Sequence, residues 1–276
     1  MKRVSHALRA VLASAGVHVV RARRSRWGIE AYPISIRPQK PRFVNVGSGS
    51  FRHPLWHNLD RKNSFYGWGQ NIDIDYDLTS EKPIPLESDS VDVFYCSHVA
   101  EHIGDRDFTR FVGEVFRCLR PGGIFRLASP DACLFYEAYL RGDTLFWHGI
   151  DPWGLGRSEL EHKLVSHLAT CLVHKDRFPE FYIEADVIKQ LVFSKSMHEF
   201  FEHLRLLVPD GCNGIFPEGH VNWYTAEKMI GLLQRGGFSK AARSGFLQSE
   251  DAILRDPRWF DNTVPEVSFY VEARKT

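Results

Sequence analysis

The sequence predicts an α/β protein: a Rossmann-like, mostly parallel seven-stranded sheet with an antiparallel last strand, plus an inserted helical cap. Three observations carry this expectation. From residue 42 onward, short apolar runs alternate with helical stretches, the pattern of βαβ units. That rhythm stops between Pro130 and His220, where an aromatic-rich and mainly helical stretch runs too long to be a loop in a compact domain. The last apolar run alternates Val267, Phe269 and Val271 with Ser268, Tyr270 and Glu272, as expected of a strand with one face partly solvated.

Strands are expected at residues 42–46, 57–60, 74–78, 91–97, 123–128, 239–246 and 267–273. Between the fourth and fifth, residues 105–119 place Phe108, Phe111, Val112, Val115, Phe116 and Leu119 at helical spacing, and Arg120-Pro121-Gly122-Gly123 stops them. A second helix is expected at 225–234, with Thr225 as N-cap, Lys228 where a capping box has its acid, and Gly236-Gly237 as terminator. The chain then divides into a basic N-terminal helix and linker (1–41), a ligand-binding core (42–130), a cap (131–220) and the return to the core (221–276). The cap would lie over the carboxyl ends of the strands, where open α/β sheets bind ligands. Its rings form either a small core of their own or a platform for a substrate.

With 276 residues, 43% of them hydrophobic, the chain can bury a full core, and its net charge of +1 gives no global reason for a polyanionic partner. No nucleic acid is expected. The five cysteines are widely spaced with no C-x-x-C pair, which excludes a zinc knuckle or a disulfide framework and suits a reducing, cytoplasmic compartment. Before the first acidic residue, Glu30, there are Lys2, Arg3, Arg9, Arg21, Arg23, Arg24 and Arg26, interleaved with apolar residues at roughly helical spacing. This basic amphipathic helix either packs on the domain, rests on an anionic membrane surface, or serves as a transit peptide.

A strand followed at once by Gly47-Ser48-Gly49 lets the backbone approach a ligand closely. The third glycine of the dinucleotide fingerprint is missing, since Ser50-Phe51-Arg52 follows, and this weakens a nicotinamide-dependent oxidoreductase reading. Acids close the next two strands. Asp60 can accept ribose hydroxyls, and Asp77, followed by Leu78, can receive an adenine amino group beside an apolar wall. His98 and His102 share one helical face with Glu101 beside them, but no third ligand is evident nearby and no H-E-x-x-H run exists, so no metal is expected.

The succession Val44-Asn45-Val46-Gly47-Ser48-Gly49, Asn58-Leu59-Asp60, Tyr76-Asp77-Leu78, the run from Ser90 to Ile103 containing Ser97-His98-Val99-Ala100-Glu101-His102, then Leu119-Arg120-Pro121-Gly122-Gly123 and Ser129-Pro130-Asp131, resembles the type 11 group of class I methyltransferases. The resemblance is close over residues 42–131 and looser over 220–274. It implies S-adenosylmethionine as cofactor, held by Gly47, Gly49 and Asp60, with Asp77 and Leu78 at the adenine and Ser97 and His98 beside the methionine portion. It departs from the group in one respect: only the segment from Ser50 to Trp56 separates the glycine loop from the second strand, too little for the usual first helix.

Methyl transfer needs alignment of the acceptor and, for a hydroxyl acceptor, a base. Such a base belongs at the ends of the fourth or fifth strand or on the cap, which singles out His98, Asp131 and His220. The acceptor is expected to be a small molecule or a glycan, most readily at a hydroxyl. An inactive binding protein of the same fold is the reading from another class.

Overall fold

The computed structural model describes residues 40–49, 51–62, 71–150, 159–212 and 216–276. The basic N-terminal helix lies outside them. The sheet is built from β1 (Phe43–Val46), β2 (His57–Asp60), β3 (Ile74–Asp75), β4 (Val91–Ser97), β5 (Leu119–Pro130), β6 (Lys240–Ser244) and β7 (Ser268–Arg274). Their spatial order is β3-β2-β1-β4-β5-β7-β6. The first five run parallel, and β7 is antiparallel to both β5 and β6, as the sequence predicts.

This order puts the topological switch between β1 and β4, because chain connections leave β1 toward one edge and β4 toward the other. Right-handed crossovers must then fall on opposite faces. One face carries α1 (Asp105–Cys118), whose Phe108, Phe111, Val112 and Val115 pack against Phe94 and Phe125, together with α7 (Ala226–Arg235). Both helices follow the sequence expectation within a residue. Thr225 caps α7 by accepting from Lys228 N at 3.2 Å. At its other end a Cβ on Gly236 would come within 2.2 Å of Val112 Cγ1.

The opposite face is where a β1-to-β2 crossover would lie, and no α-helix connects those two strands among the described residues. Instead Trp56 packs with Val93, Tyr95, Ile124, Ile253, Leu254 and Phe260. The segment between β6 and β7 thus does the covering. It is pinned by Arg126, fully buried on β5, which donates to both carboxylate oxygens of the equally buried Asp261, at 3.0 Å from Nε and 2.5 Å from Nη2. Gly245 O, Ser244 Oγ and Glu272 Oε2 satisfy the remaining guanidinium hydrogens.

Two strands differ from expectation. β3 stops at Asp75 rather than at Leu78, because the Asp77 side chain accepts from Thr79 N and Oγ1 (2.9 and 2.7 Å) and turns the chain. β5 begins at Leu119 rather than at Gly123. Val91 pairs with Leu119 and Val93 with Ile124, so the Pro-Gly-Gly segment bulges out of a continuing strand. Gly122 there has φ +81°, and Gly122 N donates to Lys275 O at 2.8 Å.

After β5 come α2 (Ala132–Leu140), α3 (Thr144–Gly149), α4 (Leu160–Ser166), α5 (Ala185–Ser194) and α6 (Met197–Leu207). They enclose a separate core in which Phe135, Tyr136, Trp147, Phe178, Phe200 and Phe201 are buried against one another. A ring buried in this way has no face left for a ligand, so these residues are a core and not a substrate platform. Among the described residues no helix is long and apolar enough to cross a membrane.

Candidate active site

The glycine loop leaves β1 in a conformation open to few residues other than glycine, with φ +66° at Gly47 and +46° at Gly49. A Cβ on Gly47 would lie 2.2 Å from Val99 Cγ2, whereas nothing lies within 4 Å of a Cβ on Gly49. Gly47 is therefore fixed by packing, and Gly49 by the loop's backbone angle. Gly47 N donates to Leu59 O at 3.0 Å, which ties the loop to the end of β2.

Two cavities meet at this loop and share Gly47 and Gly49. The first, of about 330 Å³, is lined by Asp60, Arg61, Tyr76, Asp77, Leu78, Thr79, His98, Val99, His102, Ile103 and Pro217. The second, of about 420 Å³, is lined by Asn45, Ser48, Phe51, Arg52, Tyr95, Ser97, Arg258, Trp259, Asn262 and Thr263. The structure thus gathers Gly47, Gly49, Asp60, Asp77, Leu78 and His98 around one space, and puts Ser97 on the other side of the loop.

Both acids are partly engaged. Asp60 Oδ2 accepts from Ser48 N and Oγ at 2.8 and 3.1 Å, and Oδ1 accepts from Arg61 N at 2.8 Å. Of about four lone-pair sites on a carboxylate, three are occupied, so Asp60 can take one ribose hydroxyl without disturbing the loop. Acceptance of both would displace Ser48. Asp77 is held by Thr79 and by Arg61 Nη1 at 3.2 Å. Burial works to raise its pKa, but these hydrogen bonds and the Arg61 charge outweigh it and keep the carboxyl below its ordinary range.

His98, at φ +54°, breaks from β4 so that its side chain reaches both Ser268 and Glu101. Its Nε2 is 2.8 Å from Ser268 Oγ, and its Nδ1 is 3.3 Å from Glu101 Oε1.

The other two candidate bases are elsewhere. Asp131 is the N-cap of α2, accepting from Cys133 N at 3.1 Å, and it stands 3.5 Å from Arg243. Burial raises its pKa despite that arginine. His220 is buried, and its Nδ1 meets the His167 carbonyl oxygen at 2.9 Å. Burial, with His102 adding to it, lowers its pKa to about 4. Neither residue lines either cavity. Capping claims the first, and the fold of the 216–223 segment encloses the second.

Sequence reasoning missed Tyr76 and Val99 in the first cavity and the wall of the second from Arg258 to Thr263. Val99 sits inside the quoted Ser-His-Val run and was legible there. The Arg258 wall belongs to a segment without periodicity and gave no signal.

The family described as methyltransferase domain matches residues 57–127. A protein of Mycolicibacterium smegmatis named "Probable S-adenosylmethionine-dependent methyltransferase" is 41% identical over 64 residues. That stretch is 23% of this chain, and the chain spans only 23% of that relative's length. Among solved structures, an S-adenosylmethionine-dependent methyltransferase from Thermotoga maritima is 10% identical, with a TM-score of 0.39, covering 87% of this chain and 84% of its own. Another, from Mesorhizobium loti, is 17% identical with a TM-score of 0.39, covering 85% and 91%. The matched stretch, residues 57–127, contains Asp60, Asp77, Leu78, Ser97 and His98, and the glycine loop lies shortly before it.

Proposed function

We propose that the protein is an S-adenosylmethionine-dependent methyltransferase acting on a small molecule or a glycan terminus, at a hydroxyl. The observation that carries this is the first cavity, where a close-packed glycine, Asp60 at the end of β2, Asp77 in the turn after β3 and the apolar Leu78 border one space. Those groups fit an adenosine. Gly49 lets the ligand approach the backbone, Asp60 has an acceptor site left for a ribose hydroxyl, and Leu78 with Ile103 offers apolar contact to a purine. The missing third glycine and the family match favour a methyl donor over a nicotinamide.

When bound, the cofactor supplies a methyl already activated on a sulfonium. The chain's own task is then alignment and exclusion of water. The second cavity touches the first only at the glycine loop, so it suits the acceptor. Phe51 and Trp259 bring aromatic rings to its lining, while Asn45, Ser97, Asn262 and Thr263 bring hydrogen-bonding groups, a mixture matched to a sugar or to a hydroxylated ring. Of the three candidate bases, His98 is the one that borders either cavity; it stands on the cofactor side of the shared glycine loop, so it serves as base only for an acceptor hydroxyl that reaches across that loop.

Calorimetric titration of the chain with S-adenosylhomocysteine tests the reading. One site per chain is expected, at least tenfold weaker in Asp60→Ala. A folded sample that binds neither S-adenosylhomocysteine nor S-adenosylmethionine overturns it.

A further inference from the structure

Behind the cofactor cavity the fold assembles a group of donors that no short stretch of sequence contains. Glu101 and His102 follow β4 on a single turn of 3-10 helix, Ala100–His102. His220 arrives from the far end of the helical layer, where Val221 N and Asn222 N donate to Glu101 O at 2.9 and 3.1 Å and lock the two segments together. One nitrogen of each histidine and one Glu101 oxygen lie within 4.8 Å of one another.

The hydrogen bonds around these residues decide what each presents. His102 Nδ1 lies 3.0 Å from Gly219 O and His220 Nδ1 lies 2.9 Å from His167 O. A carbonyl oxygen only accepts, so in both rings Nδ1 carries the proton and the lone pair is on Nε2. A backbone carbonyl holding Nδ1–H is the usual way a protein fixes the tautomer of a metal-binding imidazole. Glu101 is only 2% exposed. Its Oε2 accepts from Ser129 Oγ at 3.1 Å, while its buried Oε1 has His98 Nδ1 at 3.3 Å without a well-formed hydrogen bond. A buried carboxylate with so loose a partner on one oxygen keeps room for a cation held together with the two Nε2 lone pairs.

We infer that Glu101, His102 and His220 form a binding site for a divalent transition-metal ion, with Zn²⁺ the best match. Two imidazoles and one carboxylate are a known ligand set for zinc with one position left open. Mg²⁺ and Ca²⁺ prefer oxygen donors and fit poorly. Bonds of about 2.0–2.1 Å around a tetrahedral ion place donors roughly 3.4 Å apart, so the site closes by a little over 1 Å on loading, within reach of side-chain rotation. His102 also lines the cofactor cavity, which gives the ion a way in and the open position an outlet toward the reaction space. The sequence, which offered no third ligand near His98 and His102, led to the opposite expectation.

The site does not depend on the cofactor assignment, and its test does not use methyl transfer. The full chain, stripped with chelator, is titrated with ZnCl₂ against a fluorescent zinc indicator, alongside Glu101→Gln and His220→Asn, with folding of each checked by circular dichroism. One equivalent of Zn²⁺ is expected in the parent, with a rise in melting temperature, and at least tenfold weaker binding in each variant. Co²⁺ in place of Zn²⁺ should give the visible bands of a low-coordinate centre in the parent and lose them in Glu101→Gln, which removes one charge at nearly constant shape. The inference is overturned if the parent takes up no stoichiometric Zn²⁺, or if both variants bind Zn²⁺ as the parent does.

Discussion

The two cavities at the glycine loop are built by different physics. The first is walled by the ends of β1, β2 and β4 and the turn after β3, where strand geometry fixes each side chain, and Asp60, Asp77, Leu78 and His98 were legible as residues that close apolar runs. The second is walled on its outer side by Arg258, Trp259, Asn262 and Thr263, from an irregular segment between β6 and β7. That segment keeps its place through aromatic packing and one buried ion pair, neither of which leaves a period in the sequence. A cofactor shared by many enzymes suits the first kind of wall, and an acceptor particular to one enzyme suits the second.

The largest effect should come from breaking the anchor of the second wall. Asp261→Ala strips the buried Arg126 of its bidentate partner and leaves it only the Glu272 carboxylate, and denaturant unfolding should show a loss of about 3 kcal/mol. Adding Arg126→Met should recover part of it, because the poorly compensated charge goes as well. A loss under about 1 kcal/mol would mean that the segment is held by its rings alone.

Next is the loop common to both cavities. Gly47→Ala meets Val99 Cγ2 at 2.2 Å in a backbone region costing about 1–2 kcal/mol for an L-residue. S-adenosylhomocysteine affinity should fall at least tenfold, by about 1.4 kcal/mol or more. Binding unchanged in calorimetry would place the cofactor away from this loop.

Trp259→Ala separates the two spaces. Turnover on the physiological acceptor should drop by about tenfold or more, while S-adenosylhomocysteine affinity stays within about threefold. An equal loss in both would mean that the cavities are one functional unit.

The smallest effect concerns His53, whose ring lies 5.0 Å from Trp259. Burial lowers its pKa to about 4, with Asp256 opposing and Arg258 adding to the shift. The folded state therefore holds the ring neutral, while the unfolded chain takes up a proton below its ordinary value of 6.5. Stability should decline as pH falls from 6.5 toward 4. The contribution is about 1–2 kcal/mol once the partial exposure of the ring is discounted. His53→Phe should flatten that part of the stability profile measured by thermal melts, and an unaltered slope would assign the acid loss to other groups.

Periodicity reached as far as the strands and the two helices on the sheet, and its failures have local causes. β3 is shorter than its apolar pattern because Asp77 spends its carboxylate on Thr79, and the Pro-Gly-Gly segment continues a strand because Lys275 supplies its partners. The cap's rings gave their composition but not their direction, and most of them turn inward on each other. His220 was picked out as a possible base from its neighbours in sequence. Its neighbours in space are His102 and Glu101, a pairing that only the fold of the chain creates.

The central claim is that Gly47 and Gly49 hold the cofactor at the junction of two spaces with separate tasks. A crystal structure with S-adenosylhomocysteine tests it most directly. The adenosine should lie in the Asp60–Asp77 cavity, one ribose hydroxyl on Asp60, with the sulfur at the glycine loop facing the cavity of Ser97 and Trp259. Adenosine seated against Trp259 instead, or a ligand away from the glycine loop, would contradict the account.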